Sequence, residues 1–177
     1  NHLTRSTKEY RLAVADIAAI EIDRFFDEAR VEISSVANRL AREGISSSEK
    51  KQLLTEVLGQ SLHLAGASVY DKNGKLLFSL NRQSAAGQVS KVFRRPPKLH
   101  PESMMLSREQ GEHWYKTLFD QNQAAITMLY PVFGQKREDI YAYLWTRINL
   151  DTLTERILSL SERRFGRRRD RISIVNS

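Results

Sequence analysis

Cysteine is absent from the 177 residues. That removes disulfide staples, thiol nucleophiles and cysteine-based metal sites together, though it does not fix a compartment. Long apolar runs are missing as well, and no stretch approaches the roughly 20 residues of a membrane-spanning helix. The glycines are too scattered for a phosphate-cradling loop; Gly66 and Gly74 read as turn residues. Histidine is limited to His2, His63, His100 and His113, none at a spacing that holds a metal. His63 reads as a surface or packed residue of the second helix. His113 leaves two readings open, a pH-sensitive group and an exposed residue of a third helix. Ser47 and Ser48 lack a nucleophile-elbow context, Asp71 serves a turn, and Glu138-Asp139 is a solvated turn. The expectation is a chain that is not an enzyme and carries no cofactor.

Acidic residues are the minority, 21 Asp and Glu against 28 Lys and Arg, for a formal charge of +7. Much of the excess lies in Ser161-Glu162-Arg163-Arg164-Phe165-Gly166-Arg167-Arg168-Arg169-Asp170-Arg171. Such a run can meet phosphate in nucleic acid or anionic lipid. It can equally be a solvated linker held extended by like charge. No aromatic residues alternate with the arginines as stacking platforms would, so the linker is favoured and no nucleic-acid partner is expected. The stretch from Lys91 to Lys98 is basic and proline-containing, and reads as loop.

What remains is a strong pattern. Ala18, Ile22, Phe25, Phe26, Ala29, Ile33, Val36 and Leu40 recur at alternating intervals of three and four, with Ile17 and Ile20 widening the stripe. This predicts an amphipathic helix from about Lys8 to Glu43, stopped by Gly44. At 1.5 Å per residue it would be about 50 Å long, more than one small domain can cover. Its free part suits the same helix of a second subunit, or a missing part of a larger protein. Ser46-Ser47-Ser48-Glu49 caps a second helix buried along Leu53, Leu54, Val57, Leu58 and Leu62. Asn73-Gly74 between apolar runs predicts a hairpin. Ser84 to Pro101 reads as a long surface loop, and Ser107 as the cap of a third helix to about Phe119. Strands follow at Ile126–Val132 and Ile140–Ile148, with Tyr141, Tyr143, Trp145 and Arg147 on one face of the second. A last helix starts at Asp151. The predicted fold class is α+β, a long N-terminal helix packed on an antiparallel sheet of about five strands. Its divisions are residues 1–45 (signalling or dimerisation helix), 46–160 (the sheet module) and 161–177 (a basic linker with a final strand, Ile172 to Val175, or the start of a second module). The chain begins Asn-His-Leu without an apolar leader and ends on that strand-like run, which suggests a piece of a longer protein.

The order of the long helix, Tyr70-Asp71-Lys72-Asn73-Gly74-Lys75-Leu76, Trp114-Tyr115, Leu129-Tyr130-Pro131-Val132 and Arg147-Ile148-Asn149-Leu150-Asp151-Thr152-Leu153 resembles a Cache (PDC, PAS-like) sensor domain. The resemblance runs from about Leu12 to Leu160. It implies the extracytoplasmic part of a bacterial transmembrane receptor: a histidine kinase, diguanylate cyclase or chemoreceptor. It also implies a small-molecule pocket on one face of the sheet, the long helix on the other, a homodimer through that helix, and membrane attachment by flanking segments. The ligand-binding candidates are Glu112, Trp114, Tyr115, Tyr130, Tyr143 and Arg147. Amino-acid-binding members carry an Arg where Glu112 stands and an Asp where Arg147 stands, so an α-amino-acid ligand is not expected. Two accounts fit the exchange. Glu112 and Arg147 pair and fill the site, or Arg147 receives an anionic ligand through its donor fork. The rival functions are a structural dimerisation domain with an occluded pocket and a basic nucleic-acid-binding module.

Overall fold

In the computed structural model, residues 2–42, 44–82, 96–118, 124–134 and 139–165 are described. Helices α1 (His2–Leu40) and α2 (Ser47–Gln60) precede strands β1 (Leu64–Asp71) and β2 (Leu76–Asn81). Then come α3 (Pro101–Gln110), β3 (His113–Leu118), β4 (Ala124–Phe133), β5 (Ile140–Ile148) and α4 (Leu150–Phe165). The run from Ile172 to Val175 and most of the arginine cluster lie outside the described residues. The chain divides into two compact units, Asp27–Asn149 and Asn1–Phe26 with Leu150–Ser177.

Local chemistry accounts for most of these boundaries. The Ser46 hydroxyl accepts the Glu49 amide at 3.3 Å while the Glu49 carboxylate accepts the Ser46 amide at 2.7 Å, a reciprocal cap on α2. In the β1–β2 turn the Asp71 carboxylate accepts the amides of Asn73 and Lys75, both at 2.9 Å, and Gly74 takes a positive φ of 80°.

The expected helix from Ser107 to Phe119 is corrected. Helix α3 starts at Pro101, whose fixed φ suits a first helical position, and stops at Gly111 in the left-handed conformation (φ 77°). Ser107 is therefore inside the helix, buried, with its hydroxyl donating to the Leu129 carbonyl at 3.1 Å. The aromatic and β-branched run that follows Glu112 becomes β3. His63 is likewise not on α2 but in the bend after it, and Gly66 lies inside β1 rather than in a turn.

The five strands form one sheet in the order β2-β1-β5-β4-β3, and each described pairing is antiparallel. Register assigns the faces. Tyr130 pairs with Leu144, and its hydroxyl reaches Ser34 of α1 at 3.1 Å, which marks the helix-bearing face. Tyr143 and Trp145 flank Leu144 in sequence and so lie on the other face. There they join Tyr70, Leu129 and Ile140, with Leu99, Met104 and Phe133 packed on the same cluster. A register shift between Val132 and Phe133 puts an extra residue into β5. This explains why Ile140 joins Tyr143, whereas strict alternation had placed Tyr141 there. Tyr141 is instead half exposed, with the Lys50 ammonium 4.4 Å above its ring.

Along α1 the predicted stripe is buried at Phe25, Ala29, Ile33, Val36 and Leu40. Ile20 and Ile22 depart from it, with 62% and 37% exposure. In the unit formed by the two chain ends, Arg156 of α4 lies 3.5 Å from the buried Glu21 carboxylate and 5.4 Å from the Phe25 ring. That positions a charged pair beside an aromatic face.

Candidate functional site

The six sequence candidates do not converge on one face. Glu112 precedes β3, and its Oε1 accepts both the Arg30 Nε–H of α1 at 2.7 Å and the Trp114 indole N–H at 2.9 Å. Trp114 pairs with Met128, two residues from Tyr130, which places it on the helix-bearing face. Glu112, Trp114 and Tyr130 thus belong to the contact between sheet and α1. Arg30 also bonds Asp27 at 2.7 Å, and its guanidinium pKa is raised, first by the hydrogen bond to Glu112.

Tyr143 and Arg147 occupy the opposite face. Arg147 pairs with Gly66 on one side and Thr127 on the other, and its Nη2 donates to the Ala65 carbonyl at 3.0 Å. Tyr115 stands opposite Thr127 in β3, but its side chain is outside the described residues. The account in which Glu112 and Arg147 pair is therefore corrected. Glu112 is held by Arg30, and the sheet separates the two groups.

Arg147 is only 8% exposed, and burial pushes its pKa down to about 10. It remains a cation at neutral pH. The same face carries Ser68 and Ser79, whose hydroxyls bond each other at 2.7 Å, together with Thr127 and, opposite Gly66, Asn81. These hydroxyl and amide groups were missed in the sequence. Alternation about the Asn-Gly hairpin would have put Ser68 and Ser79 on one face, but nothing in β1 alone shows that β5 lies beside it. Gly66 has a steric role here. A Cβ at that position would lie 2.8 Å from Asn81 Oδ1, 3.3 Å from the Leu80 carbonyl and 3.7 Å from Arg147 Nη2. The missing side chain leaves the strand surface to those polar groups. The face opposite α1 is thus split: an apolar sector at Tyr70, Tyr143 and Trp145, closed over by Leu99 and Met104, and a polar sector around Arg147.

His113 of β3 pairs with Leu129, so it lies on the Arg147 face rather than on a helix. Among the described residues no group of three or more His, Asp or Glu side chains is placed to hold a metal ion.

No protein-family model matches the sequence, and no curated protein matches it significantly. Solved structures do match in fold. An extracellular ligand-binding receptor from Desulfohalobium retbaense aligns over 87% of this chain with a TM-score of 0.58 and 13% identity. This chain spans 27% of that receptor's length. The periplasmic sensory domain of the Campylobacter jejuni chemoreceptor Tlp1 aligns over 86% of this chain and 61% of its own, at a TM-score of 0.47 and 11% identity. The first of these shows that the chain shares its fold, a helix-backed antiparallel sheet, with part of that receptor. No helix among the described residues is long and apolar enough to cross a membrane.

Proposed function

We propose that this chain is an extracytoplasmic ligand-sensing domain of a bacterial transmembrane signalling receptor, and that its ligand is a small anion received by Arg147. The observation that carries the reading is a buried guanidinium on the sheet face opposite α1, among Ser68, Ser79, Thr127 and Asn81. A planar donor fork recognises carboxylate or phosphate oxygens, and the neighbouring hydroxyls and amide supply further polar contacts. Trp145, the next residue of β5 on the same face, borders the site on its apolar side, and Tyr143 lies beyond it in the apolar sector. Glu112, Trp114 and Tyr130 then have a different role from ligand contact: they connect the sheet to α1, through which occupancy is passed on. A ligand biases that connection only by its differential affinity for two arrangements of sheet and helix.

The receptor class, whether histidine kinase, diguanylate cyclase or chemoreceptor, belongs to segments outside this chain. Its dimeric state is part of the proposal. Leu12, Ala15, Ala19 and Ile22 are exposed on α1 at spacings of three, four and three, the seam of a two-helix coil. Arg11 and Asp16, both exposed, flank it at the positions that pair across a parallel dimer. Sedimentation of wild type and Leu12→Asp tests this; a monomeric wild type would exclude the seam.

The direct test is a thermal-shift panel of small mono- and dicarboxylates and phosphate on wild type and Arg147→Gln. A ligand at 100 times its Kd stabilises by about 2.7 kcal/mol, and Arg147→Gln is expected to lose that shift. Equal shifts in both proteins would remove Arg147 from the site. A second reading, a structural dimerisation domain with an occluded pocket, is favoured by the apolar sector that Leu99 and Met104 close over. It predicts no shift with any member of the panel.

A further inference from the structure

His63 lies in the bend between α2 and β1, and both of its ring nitrogens face carboxylates of α1. Nδ1 is 2.8 Å from Glu32 Oε2, and Nε2 is 2.9 Å from Glu28 Oε2. Glu28 and Glu32 are one helical turn apart, so their side chains rise from the same face of α1 and the ring bridges them. The ring's own backbone is fixed elsewhere. Its carbonyl accepts the Asn149 amide at 2.7 Å, and its amide donates to Ser61 Oγ at 3.1 Å. The Ser61 carbonyl in turn takes the Arg82 guanidinium at 2.6 Å. The main chain of His63 therefore moves with the sheet, while its side chain grips the helix.

The two forms of the ring use this geometry differently. A neutral imidazole has one N–H and one lone pair, so it can donate to only one of the two carboxylates and turns a lone pair toward the other. The imidazolium donates to both, and each bond is charge-assisted. We infer that His63, Glu28 and Glu32 form a proton-binding site that fastens α1 to the sheet when it is loaded and loosens that grip when the proton leaves. The signal class is the proton itself. The site lies on the helix-bearing side and does not depend on the assignment of Arg147.

Charged groups at the ring among the described residues include Glu28 and Glu32 from α1, with Arg82 from the end of β2 on the adjoining Ser61 carbonyl. The ring is 15% exposed, and the Glu32 and Glu28 side chains are 24% and 40% exposed. Solvent protons can therefore reach the site, yet the contacts are partly shielded from screening. Histidine exchanges its proton between about pH 5 and 8. The folded arrangement holds an additional favourable contact in the protonated form, so the extra attachment is present at the acid end of that window and lost toward the alkaline end. A shared metal ion is not an equivalent occupant. The two carboxylates address opposite edges of the ring, so one ion cannot take a ring nitrogen and both of them.

The test combines two measurements on the whole chain. Long-range imidazole nitrogen–proton correlation spectra at pH 5.5 and pH 8 report the ring state directly. The expected result is protons on both His63 nitrogens at pH 5.5 and on one at pH 8. Hydrogen exchange of the amides in residues 27–40, corrected for the intrinsic pH dependence of exchange, reports the grip. Losing one charge-assisted bond should raise local opening about tenfold between the two pH values. In His63→Gln, and in the Glu28→Gln/Glu32→Gln pair that preserves shape, that pH dependence should vanish while the chain still folds. A ring carrying a single N–H at pH 5.5 would overturn the proposal. So would an unchanged pH dependence in the variants, or zinc binding that His63→Gln abolishes. A merely structural histidine would instead lower protection equally at both pH values.

Discussion

Replacing Glu112 by alanine tests whether β3 is tied to α1 as the geometry implies. The change removes a 2.7 Å ion pair with Arg30 and the 2.9 Å acceptor of the Trp114 indole. The Arg30 side chain is 45% exposed and that of Glu112 22%, so screening limits the ion pair to about 1 kcal/mol, the upper end for exposed pairs. The indole loses a neutral-to-charged hydrogen bond, but its partly exposed site admits water, so about 1 kcal/mol more is expected. Glu112→Ala should therefore destabilise by about 2 kcal/mol and Glu112→Gln by about half of that, because the amide oxygen still accepts from Trp114. Urea unfolding of these variants, Arg30→Met and the double variant closes a thermodynamic cycle. The expected coupling between positions 30 and 112 is about 1 kcal/mol in low salt and shrinks in 1 M salt, where the screening length falls to about 3 Å. Additivity to within about 0.3 kcal/mol, or a Glu112→Gln variant as unstable as Glu112→Ala, would refute this account of the tie.

Three further outcomes follow from the same geometry. Leu129→Ala empties a fully buried position in the cluster with Tyr143 and Trp145, and should cost about 2–5 kcal/mol in urea unfolding. Gly66→Ala places a methyl group against Asn81 and the Leu80 carbonyl; a loss of about 1–3 kcal/mol is expected, together with a weakened response to anions. Ser46→Ala removes half of the α2 cap. The Glu49 carboxyl, held below its ordinary range first by the Ser46 side chain and then by the Ser46 amide, should titrate higher in a carboxyl-detected NMR experiment. Because that pKa is depressed on folding, the cap's contribution is present above the ordinary glutamate range and fades as pH falls through the lower folded value.

Much of the architecture was legible because it rests on local rules. The apolar spacing from Phe25 to Leu40, the Ser46–Glu49 box and the Asn73-Gly74 turn each determine their own element. Where two signals competed, the sequence misled. Ser107 looked like a cap, yet Pro101 and Gly111 bracket the helix, and the strand at Trp114 exists because β4 is there to pair with it. The site was less legible for the same reason. Glu112 and the strand residues Trp114 and Tyr130 lie across the sheet from Arg147, but that depends on strand order and on the registers of β3 with β4 and β4 with β5, both set by tertiary pairing. Arg147 could be singled out, whereas Ser68, Thr127 and Asn81 are ordinary polar residues until β2, β1, β5 and β4 lie side by side. The grip of His63 on Glu28 and Glu32 spans more than 30 positions and left no pattern in the chain.

The central claim is that a ligand on the Arg147 face is felt by the helix on the other. Hydrogen exchange read by mass spectrometry, with and without a saturating anion selected in the thermal-shift panel, measures this in one experiment. The account predicts slower exchange in β1 and β5 accompanied by a change in residues 27–40 of α1, both absent in Arg147→Gln. Slower exchange in β1 and β5 with residues 27–40 unaltered would contradict it.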